Sequence, residues 1–336
     1  MKKRILLTGA AGNVGYRTLL KLLERGDEYE VTAFDLPTKK SRKLLDKHKN
    51  KIKIVYGGIN DEKVVDNAVE GQDVVIHLAA MLPPVADRKP DLAKTVNFLG
   101  TQNLVRAIKE HNPDCFIIYS SSISVYGDRT KDYNIRVGDP LRVSEGDYYA
   151  LTKVVTEKML GESGVNYTIF RFSAIMGLPH TDPLMFHMPL NTRLEIASSD
   201  TTALALVNAC QKTAELNGRT FNLGGGESCR VTYKEFLTRM LDIYGLNIKH
   251  FKPKAFAEKN FHCGYYADTD VLNDILDFQH ETLEEYYEYV KKNTPKGLRV
   301  LTKIFSAAIA AALCNKSEPY IAKKKKLVPL INRFFN

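Results

Sequence analysis

Tyr149 and Lys153 stand four residues apart, a spacing that on a helix puts both side chains on one face and the ammonium beside the phenol. A free tyrosine has a pKa of about 10 and is a poor base at neutral pH. A neighbouring cation favours the phenolate and makes Tyr149 a workable general base. Upstream, Ser120-Ser121-Ser122-Ile123-Ser124-Val125-Tyr126-Gly127 reads as the end of a strand, where Ser122 would hydrogen-bond a reacting oxygen. A lone Tyr-x-x-x-Lys is common on surface helices, so its meaning depends on what accompanies it.

What accompanies it lies at the start of the chain. Ile5-Leu6-Leu7 reads as a strand, Thr8-Gly9-Ala10-Ala11-Gly12-Asn13-Val14-Gly15 runs directly into a helical pattern, and Asp35 follows twenty residues after Gly15 at the end of the next strand. Each glycine has a mechanical reason. Gly9 lets the chain turn off the strand, Gly12 lets backbone N–H groups approach a pyrophosphate, and Gly15 lets the helix pack closely. The pyrophosphate would sit on the positive helix N-terminus. The Asp35 carboxylate would accept hydrogen bonds from ribose hydroxyls and repel a 2′-phosphate, which favours NAD over NADP; Lys39, Lys40, Arg42 and Lys43 read as a solvated basic helix start. The positive nicotinamide of the oxidised cofactor is a second charge favouring the Tyr149 phenolate.

The elements that must hold these residues alternate along the chain. Apolar runs at 4–8, 30–34, 52–55, 73–78, 115–119, 166–171 and 219–223 predict buried parallel strands, separated by helical patterns near 13–25, 61–69, 91–110, 147–162 and 200–214. The fold class is α/β, a doubly wound parallel sheet of the Rossmann type. The pattern breaks between Gly177 and Leu194, and helices are expected again near 231–243 and 281–292. The expected division is a dinucleotide-binding domain from 1–176 and 195–225, a small substrate-binding lid from 177–194 and 226–290, and a basic tail over 291–336.

The 336 residues, 44% of them hydrophobic, suffice for a large core. The formal net charge is +9, but the last 46 residues hold eleven Lys or Arg against Glu318 alone, which leaves −1 for the first 290. A nearly neutral body argues against a nucleic-acid-binding surface. Cys115, Cys210, Cys229, Cys263 and Cys314 are widely spaced with no CxxC, so neither a disulfide framework nor a metal site is implied and a cytoplasmic setting is expected. The apolar run after Met1-Lys2-Lys3-Arg4 stops at the glycine turn, too soon for a signal peptide.

With the motifs His77-Leu78-Ala79-Ala80 and Val96-Asn97-Phe98-Leu99-Gly100-Thr101 added, residues 3 to 290 resemble the extended short-chain dehydrogenase/reductases, the NAD-dependent epimerase/dehydratase group. The resemblance implies an enzyme with Ser122, Tyr149 and Lys153 as catalytic residues. It implies that Asn13 and Val14 help bind the pyrophosphate, that Leu78, Ala79 and Ala80 line the cofactor near its ribose, and that Asn97 supports the site from its helix. It also places Ile59, Ser120, Tyr149 and Lys153 against the cofactor and Met81, Ser122 and Ser124 towards the substrate.

Departures from the family pattern shape the substrate expectation. Gly57-Gly58-Ile59 lacks the Asp that often follows the third strand, and Arg171-Phe172-Ser173-Ala174 lacks the Asn usual in nucleotide-sugar members. Only about twenty residues separate Gly177 from Ser198, little room to wrap a nucleotide diphosphate. A small sugar, sugar acid or polyol is therefore expected, with Arg193, His180 and His187 of the lid segment as candidates to meet an anionic group. Two alternatives stay open: a nucleotide-sugar epimerase or dehydratase that recycles its NAD, and a non-catalytic NAD-sensing or membrane-associated scaffold.

The tail predicts one helix whose Leu301, Ile304, Phe305, Ala308, Ile309 and Ala312 are apolar, with Arg299 and Lys303 one turn apart. Lys323-Lys324-Lys325-Lys326 then precede Leu327-Val328-Pro329-Leu330-Ile331 and Phe334-Phe335. Two readings stand side by side: residues 298–336 lie on the anionic inner face of a membrane, or the tail packs on the body or on a second subunit of a homodimer.

Overall fold

Continuous apolar runs become strands buried on both faces, since such strands have no side that can face water. The computed structural model describes residues 1–177 and 183–335. The strands in chain order are β1 (Lys3–Thr8), β2 (Tyr29–Asp35), β3 (Lys53–Tyr56), β4 (Val74–His77), β5 (Phe116–Ser122), β6 (Asn134–Ile135), β7 (Asn166–Phe172), β8 (Ala174–Met176), β9 (Arg193–Ser198), β10 (Arg219–Leu223), β11 (Arg230–Thr232) and β12 (Tyr265–Tyr266). The helices of the body are α1 (Asn13–Glu24), α2 (Lys39–Leu45), α3 (Glu62–Val69), α4 (Val85–Arg88), α5 (Pro90–Ala93), α6 (Gly100–His111), α7 (Tyr148–Ser163) and α8 (Ser199–Ala209). After them come α9 (Thr213–Leu216), α10 (Tyr233–Ile243), α11 (Thr269–Leu276) and α12 (Leu283–Lys292).

Seven strands form one parallel sheet in the order β10-β7-β5-β4-β1-β2-β3. Leu19 and Leu22 of α1 and Leu206 of α8 cover Ile5, Leu7 and Ile76 on one face. Val65 of α3 and Leu104 and Ile108 of α6 cover Leu6, Val75 and Ile117 on the other. Strand order reverses between β1 and β4, and the crevice past their carboxyl ends is where such sheets take ligands.

The second core lies beside that crevice. β9 pairs with β11 antiparallel and with β8 parallel, and Phe186, Leu194 and Ile196 share a core with Phe236 and Met240 of α10 and Tyr286 of α12.

The helix expected near 91–110 is interrupted. A π-helical turn, Lys94–Leu99, joins α5 to α6 and places the buried Asn97 on the inner side. Such turns insert one extra residue into the helical ladder and often mark functional positions.

The tail folds into α13 (Lys296–Ile304), α14 (Ser306–Cys314), α15 (Glu318–Lys325) and α16 (Val328–Phe334). The single helix expected through Ala312 breaks at Phe305, with an 81° bend between α13 and α14. Ser306 is the reason: its Oγ accepts from the Asn247 N–H at 3.1 Å and lies 2.8 Å from His250 Nδ1, which fixes the start of α14 to the body. Leu313 and Cys314 then join the second core. Phe334 and Phe335, expected as apolar anchors, are buried against Ala257, and the Phe334 carbonyl accepts from the Glu258 N–H at 2.8 Å. Among the described residues no single helix is long and apolar enough to cross a membrane.

Candidate active site

The glycine turn is built by close approach. Gly9 has φ +68°, and a Cβ there would stand 2.9 Å from the Ala79 nitrogen. A Cβ at Gly15 would stand 2.1 Å from the Gly9 carbonyl oxygen, so the first turn of α1 lies directly against the end of β1. Gly12 caps α1 with no side-chain hydrogen bond, and no acidic residue occupies the first turn. The N–H groups and dipole of this helix end suit an anion. Val14 packs against the sheet core, and Asn13 reaches the chain at Gly177, where a Cβ would meet its side chain at 2.4 Å.

Asp35 joins the end of β2 to this turn. Its Oδ2 accepts from the Ala11 N–H and its Oδ1 from the Leu36 N–H, both at 2.7 Å, and Ser41 Oγ donates to Oδ1 at 3.3 Å. A carboxylate has about four acceptor positions, so capacity remains for ribose hydroxyls. Of the nearby cations, Arg42 lies over the Tyr56 ring at 4.5 Å, while Lys39 and Lys40 are exposed.

At the end of β4, His77 is buried between two hydroxyls, with Nδ1 2.7 Å from Thr8 Oγ1 and Nε2 2.9 Å from Thr101 Oγ1. Burial, reinforced by the charge of Lys153, pulls its pKa down to about 3, so the ring is neutral. Thr8 Oγ1 also accepts from the Leu78 and Ala79 N–H groups at 3.2 and 3.1 Å, which holds Leu78-Ala79-Ala80 over the crevice. Ile59 is buried where α6 begins, against Gly100, at which a Cβ would stand 2.5 Å from its Cγ2. Asn97 clamps the next segment: its Oδ1 accepts from the Met81 N–H at 2.7 Å, and its Nδ2 donates to the Met81 carbonyl at 3.1 Å and to Thr152 Oγ1 at 3.0 Å.

Tyr149 and Lys153 are both buried on α7. Asp147 caps that helix, accepting from the Ala150 N–H at 2.8 Å, and Asp87 accepts from the Tyr149 N–H at 3.2 Å. Ser122 Oγ accepts from the Ser124 N–H at 3.1 Å. Lys153 Nζ donates to the Ser120 carbonyl at 2.6 Å and lies over the rings of Tyr119 and Tyr149, 4.6 and 5.6 Å from their centroids. Ser120 Oγ donates to the His77 carbonyl at 2.9 Å, which links β5 to β4.

Burial pulls Lys153 down to about 7, with Glu157 opposing. Burial also pushes the Tyr149 phenol up; Asp147 adds to this and the Ser122 hydroxyl works against it. Lys153 meets Tyr149 through the ring face, so spacing alone does not yield a phenolate. A cationic group would have to enter the crevice to lower the phenol.

The substrate candidates disperse. Met81 packs with Ala86 and Ala93 against Tyr149. Ser124 is fully buried, and its Oγ has no hydrogen-bond partner among the described residues. Arg193 lies over the Tyr133 ring at 5.2 Å, at the start of β9. His187 is 2.9 Å from Glu318 of α15, and its ring meets that of Phe334 at a tilt, with centroids 4.8 Å apart. His180 lies outside the described residues.

Sequence reading did not single out Glu157 or the role of Arg171. Their buried pair, Nη2 to Oε2 at 2.6 Å, ties α7 to β7, and Arg171 Nη1 donates to the Tyr126 hydroxyl at 2.7 Å. Burial opposes the Arg171 charge, but Glu157 outweighs it and holds the guanidinium fully protonated. The available signal was periodic: Glu157 lies one further turn past Lys153 on the same helix face.

Residues 6–169 match the 3-beta hydroxysteroid dehydrogenase/isomerase family. A 3 beta-hydroxysteroid dehydrogenase/Delta 5-->4-isomerase of Mycobacterium tuberculosis is 34% identical over 172 residues, 48% of this chain and 44% of that protein. A UDP-N-acetyl-alpha-D-glucosaminuronate decarboxylase of Bacillus cytotoxicus is 32% identical over 186 residues, 53% of this chain and 56% of that protein. The chain thus spans about half the length of the curated relatives it matches. Among solved structures, a Thermotoga maritima UDP-glucose 4-epimerase superposes with a TM-score of 0.71 at 21% identity, over 86% of this chain and 97% of that one. A Streptomyces venezuelae dTDP-glucose 4,6-dehydratase with NAD bound gives 0.72 at 19% identity, over 86% and 96%. These structures share the fold.

Proposed function

The chain belongs to the extended short-chain dehydrogenase/reductases, and on that premise we propose that it is an NAD-dependent oxidoreductase acting on a hydroxyl or carbonyl of a small molecule. The observation that carries this reading is the anchoring of Lys153 Nζ to the Ser120 carbonyl at 2.6 Å, which sets the ammonium over the ring of the buried Tyr149 at the end of the strand that carries Ser122. Gly9, Gly12, Asn13, Val14 and Gly15 would hold the pyrophosphate, Asp35 the adenosine ribose, and Ile59 the adenine side. Leu78, Ala79, Ala80, Asn97, Ser120, Tyr149 and Lys153 would line the remainder. The uncapped N-terminus of α1 and the tight glycine turn, where a Cβ at Gly9 or Gly15 would collide with neighbouring backbone, fit that group. Bound NAD supplies a hydride acceptor or, in reverse, a donor.

The residues of the chain do the proton work. Tyr149 Oη takes the proton as the substrate hydroxyl becomes a carbonyl and returns it in the opposite direction. Ser122 Oγ donates to the oxygen on which charge develops. Lys153 Nζ, held by the Ser120 carbonyl at 2.6 Å, presents its ammonium to the Tyr149 ring and keeps α7 in register with the strand end that carries Ser122.

A small sugar, sugar acid or polyol was the class expected from the short lid segment. The five buried unpaired cysteines suit a reducing cytoplasm.

The test is to incubate the full chain with NAD and a panel of sugars, sugar acids, polyols, nucleotide sugars and apolar ring alcohols. Net formation of reduced nicotinamide with one class supports oxidoreduction and names the substrate. Conversion of a nucleotide sugar without net reduction would replace the proposal with an epimerase or dehydratase. Tight NAD binding with no conversion of any class would favour a non-catalytic protein.

A further inference from the structure

The helix α13 is mounted with its apolar side outward. Thr302 is the one half-buried residue of α13; its hydroxyl donates to the Tyr244 carbonyl, and Gly245, with φ +78°, abuts the helix backbone at Arg299 and Lys303. At about 100° per residue Val300, Ile304 and Gly297 lie on the side opposite Thr302, and Leu301 continues that stripe about a quarter-turn to one side. Val300, Leu301 and Ile304 are 59%, 58% and 70% exposed, and Phe305, where the chain bends, is 57% exposed. An ordinary surface helix turns that stripe to the core. Here Lys296, Arg299 and Lys303 flank the stripe, and no acidic residue occurs from Lys296 to Cys314.

We propose that this face docks on an anionic lipid bilayer, with Val300, Leu301, Ile304 and Phe305 entering the headgroup–acyl boundary and Lys296, Arg299 and Lys303 meeting acidic headgroups. Charge complementarity selects the occupant. Two copies meeting through α13 would bring six cations together with no acidic partner on the helix, whereas a negatively charged membrane surface attracts each of them. The four-lysine run and the exposed pair Leu327 and Val328 repeat the same pairing of basic cluster and apolar side chain. α14 is not part of the docking surface, since Ala310, Leu313 and Cys314 are buried in the body. The surface is thus a short helix lying flat. It stands independently of the reaction assigned to Tyr149.

The test is co-sedimentation of the full chain with vesicles of phosphatidylglycerol and phosphatidylcholine, and with vesicles of phosphatidylcholine alone, at low and high salt. The expected result is binding to the acidic vesicles that weakens as salt rises, little binding to the neutral ones, and a loss of about tenfold or more in partitioning for Leu301→Glu/Ile304→Glu. Both positions are exposed, so the double variant should fold, which its circular dichroism and NAD binding check. Failure of the wild type to sediment with acidic vesicles, or equal sedimentation of the variant, would overturn the proposal. So would a dimer by light scattering that the double variant converts to a monomer while vesicles are ignored, since the face would then be an interface between copies.

Discussion

Lys153 Nζ lies 2.6 Å from the carbonyl oxygen of Ser120, two residues before Ser122. The cation of α7 is therefore anchored to the end of β5, and the same contact sets the distance between the helix that carries Tyr149 and the strand that carries Ser122.

Replacing Lys153 with Met keeps the chain length and removes both the charge and that anchor. Turnover should fall by about two orders of magnitude or more, the scale of general acid–base catalysis. The apparent melting temperature should hold or rise, because burial that pulls Lys153 down from 10.5 to about 7 opposes folding at neutral pH, and Met removes that cost along with the Ser120 anchor. Steady-state rates and thermal melts on the same preparation check both.

His77 sets a stability window. Its folded-state pKa is depressed to about 3, below the unfolded value of about 6.5, so its contribution is fully present above the unfolded value and is lost as the pH falls towards 3. Between pH 6.5 and 5 the unfolding free energy should drop by up to about 1.4 kcal/mol per pH unit from this group alone. His77→Gln, which still offers a donor and an acceptor to Thr8 and Thr101, should flatten that slope. Denaturant unfolding at several pH values measures the difference.

Much of the fold was legible because buried parallel strands read as apolar runs and their helices as amphipathic stripes; the seven runs became the large sheet. The break between α5 and α6 was not legible, since a π turn at Asn97 keeps the helical period while shifting it by one residue. The site residues were marked by local spacing, but their contacts were not: the Arg171–Glu157 pair and the His77–Thr8–Thr101 chain join segments far apart in sequence. Arg193 shows the cost of that, since nothing beside it in sequence indicates that Tyr133 lies under its guanidinium. Two details of the tail were hidden for the same reason. Phe334 and Phe335 look like an anchor until Ala257 covers them, and a helix that should run through Phe305 bends because Asn247 and His250 hold Ser306.

Asp35 carries the cofactor preference. The wild type should bind NAD more tightly than NADP, and Asp35→Ala should narrow the gap by removing the repulsion of a 2′-phosphate. The same substitution removes the acceptor of the Ala11 N–H at 2.7 Å and so loosens the glycine turn. NAD affinity itself should therefore fall by about tenfold, the scale of one charged hydrogen bond. Fluorescence titrations of both cofactors read both effects. A wild-type preference for NADP would transfer control to Lys39, Lys40 or Arg42.

The central claim is that the Tyr149 hydroxyl moves the proton while the cofactor is held mainly by the glycine turn and Asp35, and Tyr149→Phe tests it with one atom removed. Its ring stays packed against Ala86 and Ala93, so the fold should persist. NAD affinity, measured by titration, should be nearly unchanged, and turnover on the substrate found in the panel should fall by at least about a hundredfold. Equal losses in affinity and rate, or an unchanged rate, would contradict the assignment of Tyr149 as the base.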